Sequence, residues 1–143
     1  MNKPVQVYLV EDSQFLQSFL ISSIAEAGAE VCGRSSKAEE AIADIFALNP
    51  AVVLIDISLR SGSGFDVLKV LKEQNLAPDA IKVVLTNHPE YREVCTLLGA
   101  DKFFDKSMEM AQALAFISAM VVQGHHAGRM IPVASLVQSK DNY

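Results

Sequence analysis

The sequence predicts an α/β fold: a parallel sheet with helices on both faces. Three observations lead there. Five short apolar runs alternate with five longer stretches of helical periodicity, an order that builds parallel sheets from βαβ units. One run, AVVLID at 51–56, is apolar up to its final aspartate, as a central strand covered on both faces should be. The 143 residues, half of them hydrophobic, suffice for one domain with a substantial core.

The elements follow in chain order. VQVYLV (5–10) is rich in β-branched residues and reads as a strand. SQFLQSFLISSIAEAG (13–28) sets Phe15, Leu16, Phe19, Leu20 and Ile24 at helical spacing and stops on Gly28. AEVCGR (29–34) is a weaker strand. SKAEEAIADIFALNP (36–50) opens on Ser36, a capping residue with Glu39 three positions on, and Pro50 bars its continuation. After the 51–56 strand, GFDVLKVLKEQN (64–75) turns inward either Phe65, Leu68 and Leu71 or Val67 and Val70. IKVVLT (81–86) is a strand, and PEYREVCTLLGA (89–100) has the proline-first, glycine-last order of a helix. DKFFD (101–105) is a short strand. SMEMAQALAFISAMVVQG (107–124) is a helix too apolar for one wet face. Its Met108, Ala111, Ala115, Ser118 and Val122 cannot all be core, and exposed apolar patches mark partner surfaces.

Composition excludes several classes. A net charge of −5 and the absence of Lys or Arg runs leave no footprint for nucleic acid, and Arg129 and Lys140 near the end are too sparse to make one. Cys32 and Cys95 have neither metal nor disulfide spacing and read as small core residues. The first residues lack the pattern of a secretory signal, and no apolar run reaches the roughly 20 residues of a membrane span. A cytoplasmic protein is expected, with no membrane partner.

In such sheets the working site lies at the carboxyl ends of the strands. Those ends carry Glu11 and Asp12, Asp56, Thr86 and, beside the last strand, Lys106. If the first and third strands are neighbours, three carboxylates converge, and such a group repels itself unless a cation sits within it. Oxygen ligands with room for water and a phosphate oxygen suit Mg²⁺. Lys106 and Thr86 suit an anion held against that ion. Gly62 and Gly64 permit a tight loop nearby. Phosphoryl transfer needs little beyond alignment and charge neutralisation, so Asp56 at its strand end can accept a phosphoryl group.

Glu11-Asp12, Asp56, Thr86 and Lys106 at these spacings resemble the receiver domain of bacterial response regulators, of the stand-alone kind seen in chemotaxis. The resemblance covers about residues 5–122. Gly64, eight residues after Asp56, and GADKFFDKS (99–107) support it. It implies a flavodoxin-like sheet of order 2-1-3-4-5 with five helices on its two faces. It implies Asp56 as phosphoacceptor and Mg²⁺ bound by Glu11, Asp12, Asp56 and the Ser58 backbone carbonyl. By the same resemblance Lys106 is expected to pair with the phosphoryl oxygens, Thr86 to move inward on activation, and Phe103, the family's switch aromatic, to turn in behind it. Phosphoaspartate adds negative charge that biases a two-state element. The implied partners are a histidine kinase or phosphotransfer protein, with Phe15 or Leu16 as candidate docking residues, and a downstream protein target. The face of helix four, strand five and helix five is a candidate homodimer surface.

The sequence departs from this family at Ser107, where proline usually follows the lysine across a cis bond. Lys106–Ser107 is therefore either a costly cis bond or a rebuilt trans loop. Arg60 replaces a usual proline and could reach a phosphate or a partner's acid. Ser58 and His88 hold the two positions that, in the family resembled, tune dephosphorylation. A dehalogenase-type phosphatase needs a second aspartate where Ser58 stands. Thr86 could instead cap the next helix, and Phe103 could be plain core, as Phe104 beside it could. His125-His126 could bind a metal, but adjacent histidines in a polar tail are more often solvated. Residues 1–123 are expected to form the receiver and 124–143 a tail with no output domain. The expected role is phosphorylation-dependent signalling through another protein, with the chain no enzyme beyond its own phosphorylation and slow dephosphorylation. The alternatives are a phosphorelay intermediate and a pseudo-receiver that is never phosphorylated.

Overall fold

The computed structural model describes residues 4–127, with side chains for 4–123. The elements run β1 (Gln6–Val10), α1 (Gln14–Glu26), β2 (Glu30–Ser35), α2 (Ala38–Leu48), β3 (Val52–Ile55), α3 (Gly64–Glu73) and β4 (Ile81–Thr86). A 3-10 turn (Pro89–Tyr91) then leads into α4 (Arg92–Leu97), β5 (Lys102–Asp105) and α5 (Met110–Ala127). The five strands form one sheet of order β2-β1-β3-β4-β5, every pair parallel. The expected order is thus observed.

The sheet is covered on both sides because its inner strands are apolar on both faces. In β3, Val53 and Ile55 join Ile45 of α2, Leu68 of α3 and Cys95 of α4 in one core. Val52 and Leu54 alternate to the other face and meet Leu20 and Ile24 of α1 and Ile117 of α5. This is the period-two alternation of a strand, used twice. β2 is the weaker edge strand, half-buried, with a register shift opposite Val7 and Tyr8. Cys95 is buried and Cys32 half-buried. Burial pushes the Cys95 thiol up to about 11, which makes it an inert core residue.

Several element ends differ from expectation. Ser36 does not cap α2. The helix opens at Ala38 behind Lys37, whose side chain makes no cap bond. Ser35 acts instead: its hydroxyl accepts from the Lys37 amide at 3.0 Å and donates to the Glu40 carboxylate at 2.6 Å. The last helix begins at Met110 rather than at 107, because Asp105 and Glu109 close a turn first. The Asp105 amide donates to Glu109 Oε1 at 2.8 Å, and the Glu109 amide to the Asp105 carbonyl at 2.7 Å. Among the described residues no peptide bond is cis, so Lys106–Ser107 takes the trans form. The Ser107 amide, which proline would lack, donates to Asp105 Oδ1 at 2.9 Å.

On α1, Phe15 is 82% exposed, Phe19 is exposed and Leu16 packs on the core. In α3 Val67, Leu68 and Leu71 are all buried, so both expected faces contribute. Ala111, Ala115, Ser118 and Val122 form the exposed side of α5, with Met108 exposed just before it. The His125 and His126 side chains and the tail segment 128–143 lie outside what the structure describes, and so does the metal reading of that pair.

Candidate functional site

β1 and β3 are adjacent, with Val10 paired to Ile55. The residue after each strand therefore reaches the same edge. The Asp56 amide donates to the Val10 carbonyl at 2.8 Å, extending the ladder by one residue. Asp56 Oδ1 accepts from the Ile57 amide at 2.7 Å. Glu11 is held on three sides. Its amide donates to the Ser35 carbonyl at 3.0 Å, its Oε2 accepts from the Ser13 amide at 3.0 Å, and its carbonyl accepts from Gln17 Nε2 at 2.6 Å. Lys106 arrives from beyond β5, its amide donating to the Thr86 carbonyl at 2.8 Å.

These anchors bring Lys106 Nζ to 2.9 Å from Asp56 Oδ2 and 3.1 Å from Glu11 Oε1. The three side chains are only 11%, 8% and 4% exposed. One ammonium thus lies between two buried carboxylates, offsetting one of their two negative charges and screening their mutual repulsion. Burial, and to a lesser degree the Asp56 charge, push the Glu11 carboxyl above its ordinary range, against the opposing pull of the Ser13 amide and Lys106. Thr86 is fully buried, and its Oγ1 has no hydrogen-bond partner among the described residues. A buried hydroxyl without a partner is costly. Thr86 does not cap the next helix. His88 holds the cap position of the 3-10 turn, and no side chain bonds there.

Not every expected residue converges. Asp12 is exposed at the rim, and among the described residues no three His, Cys, Asp or Glu side chains group as a metal centre. Lys106 stands between Glu11 and Asp56, so the three-acid cluster expected from the sequence is two acids and an ammonium. The available donors around it are still hard oxygens, the chemistry that suits Mg²⁺. Ser58 is exposed on the β3–α3 loop, and half-buried His88 lies 3.5 Å from Glu90. Phe103 is buried, 7% exposed, in the core with α3 and α4. The inward place expected of it on activation is already filled. Phe104 packs against Phe116 on the other face, ring centroids 6.4 Å apart.

Two contributors were not foreseen in the sequence. Gln17, a buried polar residue on α1, secures Glu11 through its carbonyl. Its signal was a glutamine at helical spacing from the core residues Leu20 and Ile24. Arg92 stacks 4.7 Å from the Phe103 ring centroid, donates to the Phe103 carbonyl at 3.2 Å and lies 3.4 Å from Glu109. It ties α4 to β5 and to the start of α5, a tertiary meeting with no sequence signature.

A family model described as the response regulator receiver domain matches residues 7–118. The chain is 29% identical over 110 residues to the nitrate/nitrite response regulator protein NarL of Escherichia coli K12, covering 75% of this chain and 50% of that protein. It is 33% identical over 64 residues to the chemotaxis protein CheY of Thermotoga maritima, covering 45% of this chain and 53% of CheY. The chain thus spans about half the length of these curated relatives. Among solved structures, the receiver domain of a putative Luxo repressor protein from Vibrio parahaemolyticus superposes with a TM-score of 0.75 at 17% identity, covering 91% of this chain and 99% of that one. The response regulator domain of Thermotoga maritima CheB gives 0.69 at 20% identity, covering 85% and 96%. At these identities the superpositions show the flavodoxin-like fold alone.

Proposed function

This chain belongs to the response regulator receiver family, and on that premise we propose that it accepts a phosphoryl group from a phosphohistidine donor onto Asp56. The observation that carries the assignment is the Lys106 ammonium 2.9 Å from Asp56 Oδ2 at the sheet edge, beside the buried, unpartnered Thr86 hydroxyl. In the transfer, an Asp56 carboxylate oxygen forms a bond to phosphorus as the phosphorus–nitrogen bond breaks. The imidazole nitrogen keeps the electron pair and takes up a proton from solvent. Later attack by water on phosphorus releases inorganic phosphate and restores the carboxylate. Lys106 holds the phosphoryl oxygens, and Thr86 Oγ1 donates to one of them.

Receiver domains of this family generally use Mg²⁺ at the phosphorylation site. Here Glu11, Asp12, Asp56 and the Ser58 carbonyl would hold it, and when bound it neutralises charge on the transferring group. Receivers interact with histidine kinases or phosphotransfer proteins. Phe15, exposed at the start of α1, supplies an apolar contact for such a donor. The exposed side of α5 with α4 and β5 supplies the face for a downstream protein or a second copy. Among the described residues no helix is long and apolar enough to cross a membrane.

The test is intact mass after incubation with acetyl phosphate and Mg²⁺. One added phosphoryl group is expected, dependent on both Mg²⁺ and Asp56. A gain that survives Asp56→Asn overturns the assignment. No gain together with no Mg²⁺-dependent beryllofluoride binding makes the chain a pseudo-receiver instead. Thr86→Val separates acceptance from response. It keeps the side-chain shape and removes a buried unpaired hydroxyl, so the unphosphorylated chain should be more stable by about 1 kcal/mol. Asp56 should still be labelled, but amide shifts on α4, β5 and α5 caused by phosphorylation should shrink severalfold. Full-sized shifts in the variant would remove Thr86 from the switch.

A further inference from the structure

The Asp56 site has an electrostatic problem. Until Mg²⁺ binds, an incoming phosphoryl dianion meets Glu11 and Asp56 with only the Lys106 ammonium between them, in a chain of net charge −5. Next to the site, on the β2 side, lies a polar cavity of about 350 Å³ whose lining includes Asp12, Gln17, Arg34, Lys37 and Arg60. It shares Asp12 and Gln17 with the surroundings of the acceptor site, since Asp12 follows Glu11 and Gln17 holds the Glu11 carbonyl. The three cations are exposed. None of them belongs to an ion pair among the described residues, although Asp12 and Glu40 line the same cavity. Glu40 is engaged elsewhere, accepting from the Ser35 hydroxyl at 2.6 Å.

The backbone that presents two of these cations is stitched together. The Arg60 amide donates to the Ser36 carbonyl at 2.9 Å, the Ala38 amide donates to the Ser61 carbonyl at 2.9 Å, and Lys37 and Ser61 form a parallel bridge. The β2–α2 and β3–α3 loops are thereby one frame, and Lys37 and Arg60 on it line the same cavity. Arg34 adds a third charge from β2. Unpaired cations on a prearranged frame are what an oxyanion site requires, and a charged cleft raises the local concentration of its ligand.

We propose that Arg34, Lys37 and Arg60 form a phosphoanion subsite that receives the phosphoryl group of the donor before its transfer to Asp56. This rests on the receiver reading above. The shared chemistry is the phosphoryl oxyanion, whether carried by a small acyl phosphate or on a histidine nitrogen. No bond changes in the subsite itself.

Binding is tested apart from transfer. Inorganic phosphate is titrated into the full chain carrying Asp56→Asn, without Mg²⁺, and backbone amides are followed by NMR. The expected result is saturable shifts at Lys37, Ala38 and Ser61, weakened at least about tenfold by R34Q/K37Q/R60Q. All three positions are exposed, and an unchanged spectrum elsewhere verifies the fold of the variant. Shifts confined to Thr86 and Lys106, or equal affinity in the triple variant, would overturn the subsite. This readout stands even if Asp56 is never phosphorylated, a failure that would count against the receiver reading alone. Transfer rates then identify the source. With acetyl phosphate and with phosphoimidazole, the triple variant should slow about tenfold at low salt and lose its salt dependence. Slowing with acetyl phosphate alone would mean that the cations recognise the acyl leaving group, and the proposal would fall.

Discussion

Lys106→Met should destabilise the metal-free chain by about 3–5 kcal/mol at neutral pH, because it leaves two buried carboxylates facing each other without a cation. Glu11 and Asp56 are each less than a tenth exposed and share that one ammonium. The loss should depend on pH, with a sign set by Glu11. Its carboxyl already titrates above the ordinary range, because of burial first and the Asp56 charge next. A group whose pKa is raised by folding contributes stability that is fully present below the unfolded pKa and lost as pH rises through the folded one. Removing Lys106 removes a stabiliser of the Glu11 anion, so its pKa should rise further. The destabilisation should therefore be largest above the raised Glu11 pKa and shrink as pH falls through it. Mg²⁺ should restore part of the loss by taking over the neutralising role, giving the variant a larger metal-induced stabilisation than the parent. Urea unfolding across a pH series, with and without Mg²⁺, reads all three effects. Equal stability of variant and parent at neutral pH would show that the Lys106 pairing contributes nothing to the fold.

Gly64→Ala should injure both fold and site. Gly64 opens α3, and its amide donates to the Ile57 carbonyl at 2.8 Å. A methyl group built there would collide with the Asp56 carbonyl oxygen and lie 2.8 Å from the Ile57 Cα. Both neighbours are backbone at the end of β3, so relief requires moving either the loop or the aspartate. Overpacking of this kind costs about 1–3 kcal/mol. Displacing a reacting carboxylate by about an ångström costs roughly a hundredfold in rate. The expected outcome is a lower melting temperature together with Asp56 phosphorylation slowed about a hundredfold. A variant that is less stable yet labelled at the parental rate would show that Asp56 is held by something other than this close approach.

Much of the site was legible because its signals are local. An apolar strand that ends on a charge reports burial and an edge within a few residues, and the βαβ spacing places all such edges on one side. Glu11, Asp56, Thr86 and Lys106 follow from that reasoning. Ser36 misled because two serines precede α2 and capping statistics do not choose between them. The observed turn uses Ser35, whose hydroxyl bonds both Lys37 and Glu40. Phe15 and Leu16 are indistinguishable by spacing, and only the packing of α1 on the sheet leaves Phe15 in solvent and Leu16 on the core.

By itself the sequence determined the class of fold, the strand and helix order, and which residue types gather at one edge. Periodicity and strand length depend on a residue's own neighbours, and a parallel sheet turns that local order into a common edge. The tertiary structure decided what those residues do to one another. It set Lys106 between Glu11 and Asp56 and left Asp12 at the rim. It stacked Arg92 on an already buried Phe103, and it joined the loops of Lys37 and Arg60 into one cationic frame. Each of these depends on distances between segments tens of residues apart. Coulomb energies and burial costs change steeply over a few ångströms, and no pattern read along the chain carries that information.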